Sequence, residues 1–121
     1  MKLHASRTAA QTITAYGDDY VMVNGVRRDS NIVVLADRTM PWDAKSFAEL
    51  SAEDFAFLKS LDVEIVILGT GPKQRFPHRR LTAPLASAHI GLEVMDSKAA
   101  CRTYNILVAE ERKVALALLF E

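Results

Sequence analysis

The sequence predicts a three-layer α/β/α domain with a central mixed sheet and an additional antiparallel β element at its N-terminus. Three observations carry this expectation. Two runs of β-branched and aromatic residues flank a turn early in the chain, and an aliphatic run at residues 65–68 ends in Gly69. From there to the end, strand-like and helix-like segments alternate.

Thr12 to Tyr16 and Tyr20 to Asn24 flank Gly17-Asp18-Asp19, the composition of a hairpin. Asn24-Gly25 marks a second turn, and Val26 to Arg28 and Asn31 to Leu35 continue as strands. All these segments are expected in one N-terminal antiparallel layer. Pro41-Trp42-Asp43 falls in an irregular connection. Ser51 is a natural N-cap with Asp54 three residues on, a capping-box variant, and Phe55, Leu58 and Leu61 follow at helical spacing as a core stripe.

Ile65 to Leu68, bounded by Glu64 and Gly69, suits a strand covered on both faces and is the expected central strand. Thr82 to Ile90 suits a short helix with Pro84 in its first turn and Gly91 just past its end. Leu92 to Met95 is the next strand. Asp96 or Ser97 caps a helix from about Lys98 to Ala109, with Ala100, Tyr104, Leu107 and Val108 on one face, and Val114 to Phe120 closes the sheet. The succession implies right-handed crossovers.

The 121 residues are expected to form one domain, residues 1–121, whose core needs neither a disulfide nor a metal staple. Half the residues are hydrophobic and a quarter charged, which argues against disorder. Fifteen Lys plus Arg balance fifteen Asp plus Glu, so no global field is available to hold nucleic acid or an anionic membrane. Cys101 is the only cysteine, which excludes an internal disulfide and fits a buried thiol in a reducing compartment. Met1 to Ala10 lacks an apolar signal core, and the longest apolar run, Val114 to Phe120, falls far short of the roughly 20 residues a spanning helix needs. A cytoplasmic chain without membrane insertion is expected.

The stretch Gly69 to Arg80 follows the expected central strand and carries Lys73, Arg75, Arg79 and Arg80 with no acid. Ligands gather at such strand ends, where backbone amides of Gly69, Thr70 and Gly71 can approach an anion. The full dinucleotide or P-loop glycine pattern is missing, so the alternatives are an anion or partner site and a plain turn with a solvated basic loop. Glu93 and Arg102 form a second cluster with Asp96, Tyr104 and Asn105. A structural salt bridge between Glu93 and Arg102 is preferred over catalysis, and for Tyr104 core duty with its hydroxyl bonded is preferred over acid–base chemistry. His4, His78 and His89 sit in no catalytic motif and show no paired ligand spacing with Cys101, so no catalytic residue, structural metal or cofactor is assigned.

Residues 93–105, Glu-Val-Met-Asp-Ser-Lys-Ala-Ala-Cys-Arg-Thr-Tyr-Asn, together with Gly69-Thr70-Gly71, Arg112 and the Val114 strand, resemble the domain of unknown function 498 family. Its mitochondrial members are named complex I assembly factor 3. The resemblance spans nearly the whole chain, and Ser97-Lys98 depart from the family pattern of Thr followed by Gly or another small residue. It implies a mixed sheet flanked by helices with extra strands. It also implies protein binding, since mitochondrial relatives help build the peripheral arm of respiratory complex I, whereas bacterial relatives have no established activity. No catalytic residues are defined for the family. The expected function is therefore a non-enzymatic interaction or assembly factor with a protein partner. The alternative is a protein, or an enzyme, that holds a small anion with Gly69, Gly71 and Arg75 while Glu93 or Arg102 completes the pocket. Exposed sheet edges also leave a homodimer open.

Overall fold

Period-two burial along the strands organises the chain around two cores, one on each face of a five-stranded sheet. The computed structural model describes residues 10–120; the N-terminal segment read above for a signal core, and His4 within it, lie outside those residues except at Ala10. The described elements are β1 Ile13–Tyr16, β2 Val21–Val23, β3 Val26–Arg28, β4 Ile32–Val34, β5 Thr39–Pro41, α1 Ala52–Lys59, β6 Ile65–Gly69, α2 Arg79–Ser87, β7 Gly91–Met95, α3 Ser97–Ala109 and β8 Val114–Leu118. β1, β2 and β3 form an antiparallel sheet, and the larger mixed sheet has the order β5-β4-β8-β6-β7. β4 is antiparallel to β5 and β8, whereas β6 is parallel to both β7 and β8.

Alternate residues of these strands face opposite ways. Ile32, Val34, Ile67, Val114, Leu116 and Leu118 meet Cys101, Tyr104 and Val108 of α3 together with Ile13, Val21 and Val23 of the small sheet. Val33, Val66, Leu68, Ala115 and Ala117 meet Phe55 and Leu58 of α1 and Leu85 of α2. The predicted three-layer α/β/α architecture with an extra antiparallel element is therefore the observed one.

Several local expectations change. Residues 31–35 do not extend the N-terminal layer: β4 joins the mixed sheet, because its three consecutive buried residues need cover on both faces. Pro41, expected in an irregular connection with Trp42 and Asp43, instead ends a short strand, β5, at the sheet edge, where a missing N–H costs nothing. β6 is an interior strand, but β8 holds the middle position. α2 begins at Arg79 rather than Thr82, because the His78 ring nitrogen Nδ1 accepts the Arg80 N–H at 3.1 Å and serves as the cap. Pro84 consequently lies inside the helix, and His89, at φ 60°, takes the left-handed position that ends it, leaving Gly91 to start β7.

The other caps follow the sequence. The Asp54 carboxylate accepts the Ser51 N–H at 2.9 Å, and the Asp96 carboxylate accepts the Ala99 N–H at 3.0 Å.

Burial pushes the Cys101 thiol from 9.0 up to about 12. The unfolded chain releases this proton near its ordinary value while the folded chain retains it, so stability declines as pH rises through that window. Urea unfolding measured between about pH 9 and pH 11 should show the wild type losing more stability than Cys101→Ala, by up to about 1.4 kcal/mol per pH unit. Parallel pH profiles for the two proteins would contradict the buried-thiol assignment.

Candidate functional site

Strands β6, β7 and β8 run parallel, so their carboxyl ends share one edge of the sheet. The chain leaves β6 toward α2 on one face and β7 toward α3 on the other. Reversals of this kind often open a ligand crevice. Here the space between the two strand ends is laced with hydrogen bonds.

Gly69 allows the close approach. A Cβ there would lie 2.7 Å from Leu118 Cδ2 and 3.1 Å from Ser97 Cα. Thr70, fully buried, donates its N–H to the Met95 carbonyl at 2.9 Å and its hydroxyl to the Lys73 carbonyl. The same hydroxyl accepts the Arg75 N–H at 3.1 Å. Gly71, at φ 89°, donates its N–H to Ser97 Oγ at 2.8 Å, and its carbonyl accepts the Ser97 N–H at 2.8 Å. The amides of Thr70, Gly71 and Arg75 are thus engaged within the protein.

Arg75 folds back over the turn. Its Nη2 donates to the Thr70 carbonyl at 2.8 Å, and its guanidinium stacks 4.5 Å from the centre of the Phe47 ring. Beyond this anchored start the loop faces solvent. Lys73, Arg79 and Arg80 are exposed, and Phe76 is 70% exposed between them. The sequence reading named the cations but missed Phe76, whose signal was an aromatic residue inside an otherwise polar basic stretch.

Glu93 and Arg102 are not brought together. Arg102 Nη1 donates to the Tyr16 hydroxyl at 3.1 Å, whereas Glu93 is exposed on β7, and no ion pair joins the two among the described residues. The expected salt bridge is therefore replaced by a bond to the small sheet. Two neighbours of Arg102 do the same work. Tyr104 is core, as expected, and its hydroxyl donates to the Gln11 carbonyl at 2.8 Å. Asn105 accepts the Ile13 N–H and donates to the Ile13 carbonyl, each at 2.9 Å, so its side-chain amide pairs with β1 as a neighbouring strand would. The Arg-Thr-Tyr-Asn string grips the N-terminal hairpin as well as packing α3 on the large sheet. A legible signal was the amide at residue 105, placed on the same helix face as Cys101 and Val108 and therefore in need of a specific partner.

A cavity of about 290 Å³ lies between the β1–β2 turn and the first turn of α3, with Tyr16, Asp18, Gly71, Ser97, Lys98 and Cys101 among its lining residues. Lys98 Nζ and Asp18 Oδ1, 2.9 Å apart, bridge its rim. The raised thiol makes Cys101 a poor nucleophile at neutral pH. Among the described residues no cluster of three or more His, Cys, Asp or Glu side chains could hold a metal ion, and no helix is long and apolar enough to cross a membrane.

The sequence pattern of the family described as "Protein of unknown function (DUF498/DUF598)" matches residues 13–119. The chain is 29% identical over 114 residues to "NADH dehydrogenase (ubiquinone) 1 alpha subcomplex assembly factor 3" of Danio rerio, covering 93% of this chain and 66% of the relative. The protein of that name from Homo sapiens is 29% identical over 117 residues, with coverage of 93% and 64%. The chain thus spans less than two thirds of these relatives' length. A crystal structure of a Bordetella parapertussis protein superposes with a TM-score of 0.88 at 37% identity, covering 93% of this chain and 98% of the other.

Replacing Asn105 by Ala leaves the Ile13 backbone N–H and carbonyl without their partner. Asn105→Ala should cost about 1–3 kcal/mol in urea unfolding. It should also accelerate amide exchange in the Ile13 to Val23 hairpin more than in β6 or β8. Equal acceleration in the hairpin, β6 and β8 would show that the side chain does not act on the hairpin.

Proposed function

We propose that the chain, which belongs to the DUF498/DUF598 family, is a protein-binding assembly factor rather than an enzyme. The observation that carries this reading is Phe76, 70% exposed in a loop whose base is tied by hydrogen bonds and whose outer residues Lys73, Arg79 and Arg80 are cationic and exposed. A large aromatic side chain held in water is unfavourable in the free protein and gains by burial in a partner, and aromatic and arginine side chains dominate the energetics of protein interfaces. Gly69, Thr70, Gly71 and Arg75 act as the scaffold of this surface, since their amides and guanidinium are spent on the turn itself. That engagement favours a protein contact over the small-anion pocket. Arg102, bonded to the Tyr16 hydroxyl, falls outside the proposed contact.

The relatives named as assembly factors for NADH dehydrogenase support the same reading and suggest the client, a subunit of that respiratory enzyme or another of its assembly proteins. We place the activity in the cytoplasm, where a buried, protonated cysteine is at home.

The test is affinity capture of tagged protein from native extract, with the bound partner identified by mass spectrometry. The comparison is with Phe76→Ala/Arg79→Glu/Arg80→Glu, after matching unfolding curves establish that the variant is folded. A near-stoichiometric partner retained by the wild type and reduced by about tenfold or more in the variant is the expected result. Equal capture by both proteins, or no partner for the wild type, would overturn the proposal.

A further inference from the structure

The open strand edges of this molecule are not equivalent. β5 ends in Pro41, which has no N–H to offer. β1 is occupied by the Asn105 amide, and β3 carries Arg27 and Arg28, charges of the kind that discourage edge pairing. β7, Gly91–Met95, is longer than either β3 or β5 and contains neither proline nor a basic residue.

The direction of its free groups follows from the pairing with β6. Gly91 donates its N–H to the Glu64 carbonyl at 2.9 Å, and the Met95 carbonyl accepts the Thr70 N–H at 2.9 Å. Backbone groups of residues 91, 93 and 95 therefore face β6, and by alternation those of Leu92 and Val94 face away from it. One bond corroborates this direction: the Val94 carbonyl accepts from the Gln74 side-chain amide at 2.9 Å. No strand pairs with this outer edge among the described residues.

Gln74 also places the basic loop beside the edge, because it belongs to the loop and reaches the strand. Two residues on is the exposed Phe76, and Lys73, Arg79 and Arg80 flank it in a stretch from Gly69 to Arg80 that contains no acid. Resting on the protein-binding reading above, we propose that β7 is a docking edge for an extended acidic segment of the partner, added as a sixth strand of the mixed sheet. Leu92 and Val94 supply the main-chain hydrogen bonds, the occupant displaces the Gln74 amide from the Val94 carbonyl, and the flanking cations select its charge. A second copy of this chain is a poorer complement, since its own β7 offers Glu93 as its only acid.

The test is titration of the full ¹⁵N-labelled chain with a capped peptide of about ten residues alternating valine and glutamate, followed by amide NMR. The same peptide with lysine for glutamate is the control. The proposal expects saturable shifts at the Leu92 and Val94 amides, exchange at those amides slowed about tenfold at saturation, and about tenfold weaker binding of the lysine peptide. Gln74→Ala should tighten binding about two- to threefold by freeing the Val94 carbonyl, and Arg79→Glu/Arg80→Glu should weaken it about tenfold. Shifts confined to residues 76–80, with Leu92 and Val94 unmoved, would overturn strand addition while leaving the protein-binding reading intact. A free chain that sediments as a dimer with both edge amides already protected would assign the edge to a second copy and overturn the acidic occupant. No saturable shift with the acidic peptide would likewise overturn that occupant, and the capture experiment decides the broader reading independently.

Discussion

The last strand of the chain occupies the middle of its main sheet, and the remaining architecture depends on that placement. All five residues of β8 are buried, between β4 on one side and β6 on the other. The strand presents Val114, Leu116 and Leu118 to the α3 side and the small Ala115 and Ala117 to the α1–α2 side. Each large aliphatic side chain removed from water contributes about 1.5–3 kcal/mol, so β8 is a major source of core energy. It also joins the antiparallel half of the sheet, β5 and β4, to the parallel half, β6 and β7. Neither half can be covered on both faces until residues 114–118 are inserted. Asn31 reinforces the join, donating its amide to the Ala44 carbonyl at 2.7 Å while its oxygen accepts the Phe120 N–H at 2.7 Å.

Tight strand packing at the carboxyl edge then decides what kind of surface forms there. Gly69 lets Leu118 and the start of α3 close in, and Leu119 donates its N–H to the Gly69 carbonyl at 3.0 Å. With Thr70 bonded to β7 and Gly71 to Ser97, the amides of this turn are spent on a hydrogen-bonded floor, and the cavity beside it is shared with the β1–β2 turn. Chemistry is thereby moved outward, to the loop that this floor supports. Arg75, stacked on Phe47, anchors the loop that carries the exposed cations and Phe76, and Gln74 of the same loop reaches the outer edge of β7.

Local patterns revealed much of the fold because its hairpin, caps and buried strands announce themselves in short windows. Gly17-Asp18-Asp19, Asn24-Gly25, Ser51 with Asp54, and Asp96 all act as their chemistry dictates. What was not legible was partnership across distance. The run Ile32–Val34 says that a strand is buried but not which sheet takes it, and its partner β8 comes last in the sequence. α2 was misplaced because histidine is an uncommon cap and Pro84 suggested a first turn. At the candidate site, the sequence located the basic loop but not the fate of its amides, which depends on Ser97 reaching Gly71 across 26 positions. Arg102 and Glu93 looked complementary by charge alone. A tyrosine 86 positions away from Arg102 met it instead, and charge pairing read from neighbouring elements cannot anticipate such a competitor.

The free molecule has an interior organised around β8 and an edge, β7, whose outward backbone groups have no partner among the described residues apart from Gln74 at the Val94 carbonyl. Residue-resolved native-state hydrogen exchange of the free chain measures both at once. It should find the β6 and β8 amides opening only with global unfolding, while the Leu92 and Val94 amides exchange faster by about a hundredfold or more. Leu92 and Val94 protected as strongly as β8 would contradict the account, because the edge assigned to a partner would already be covered.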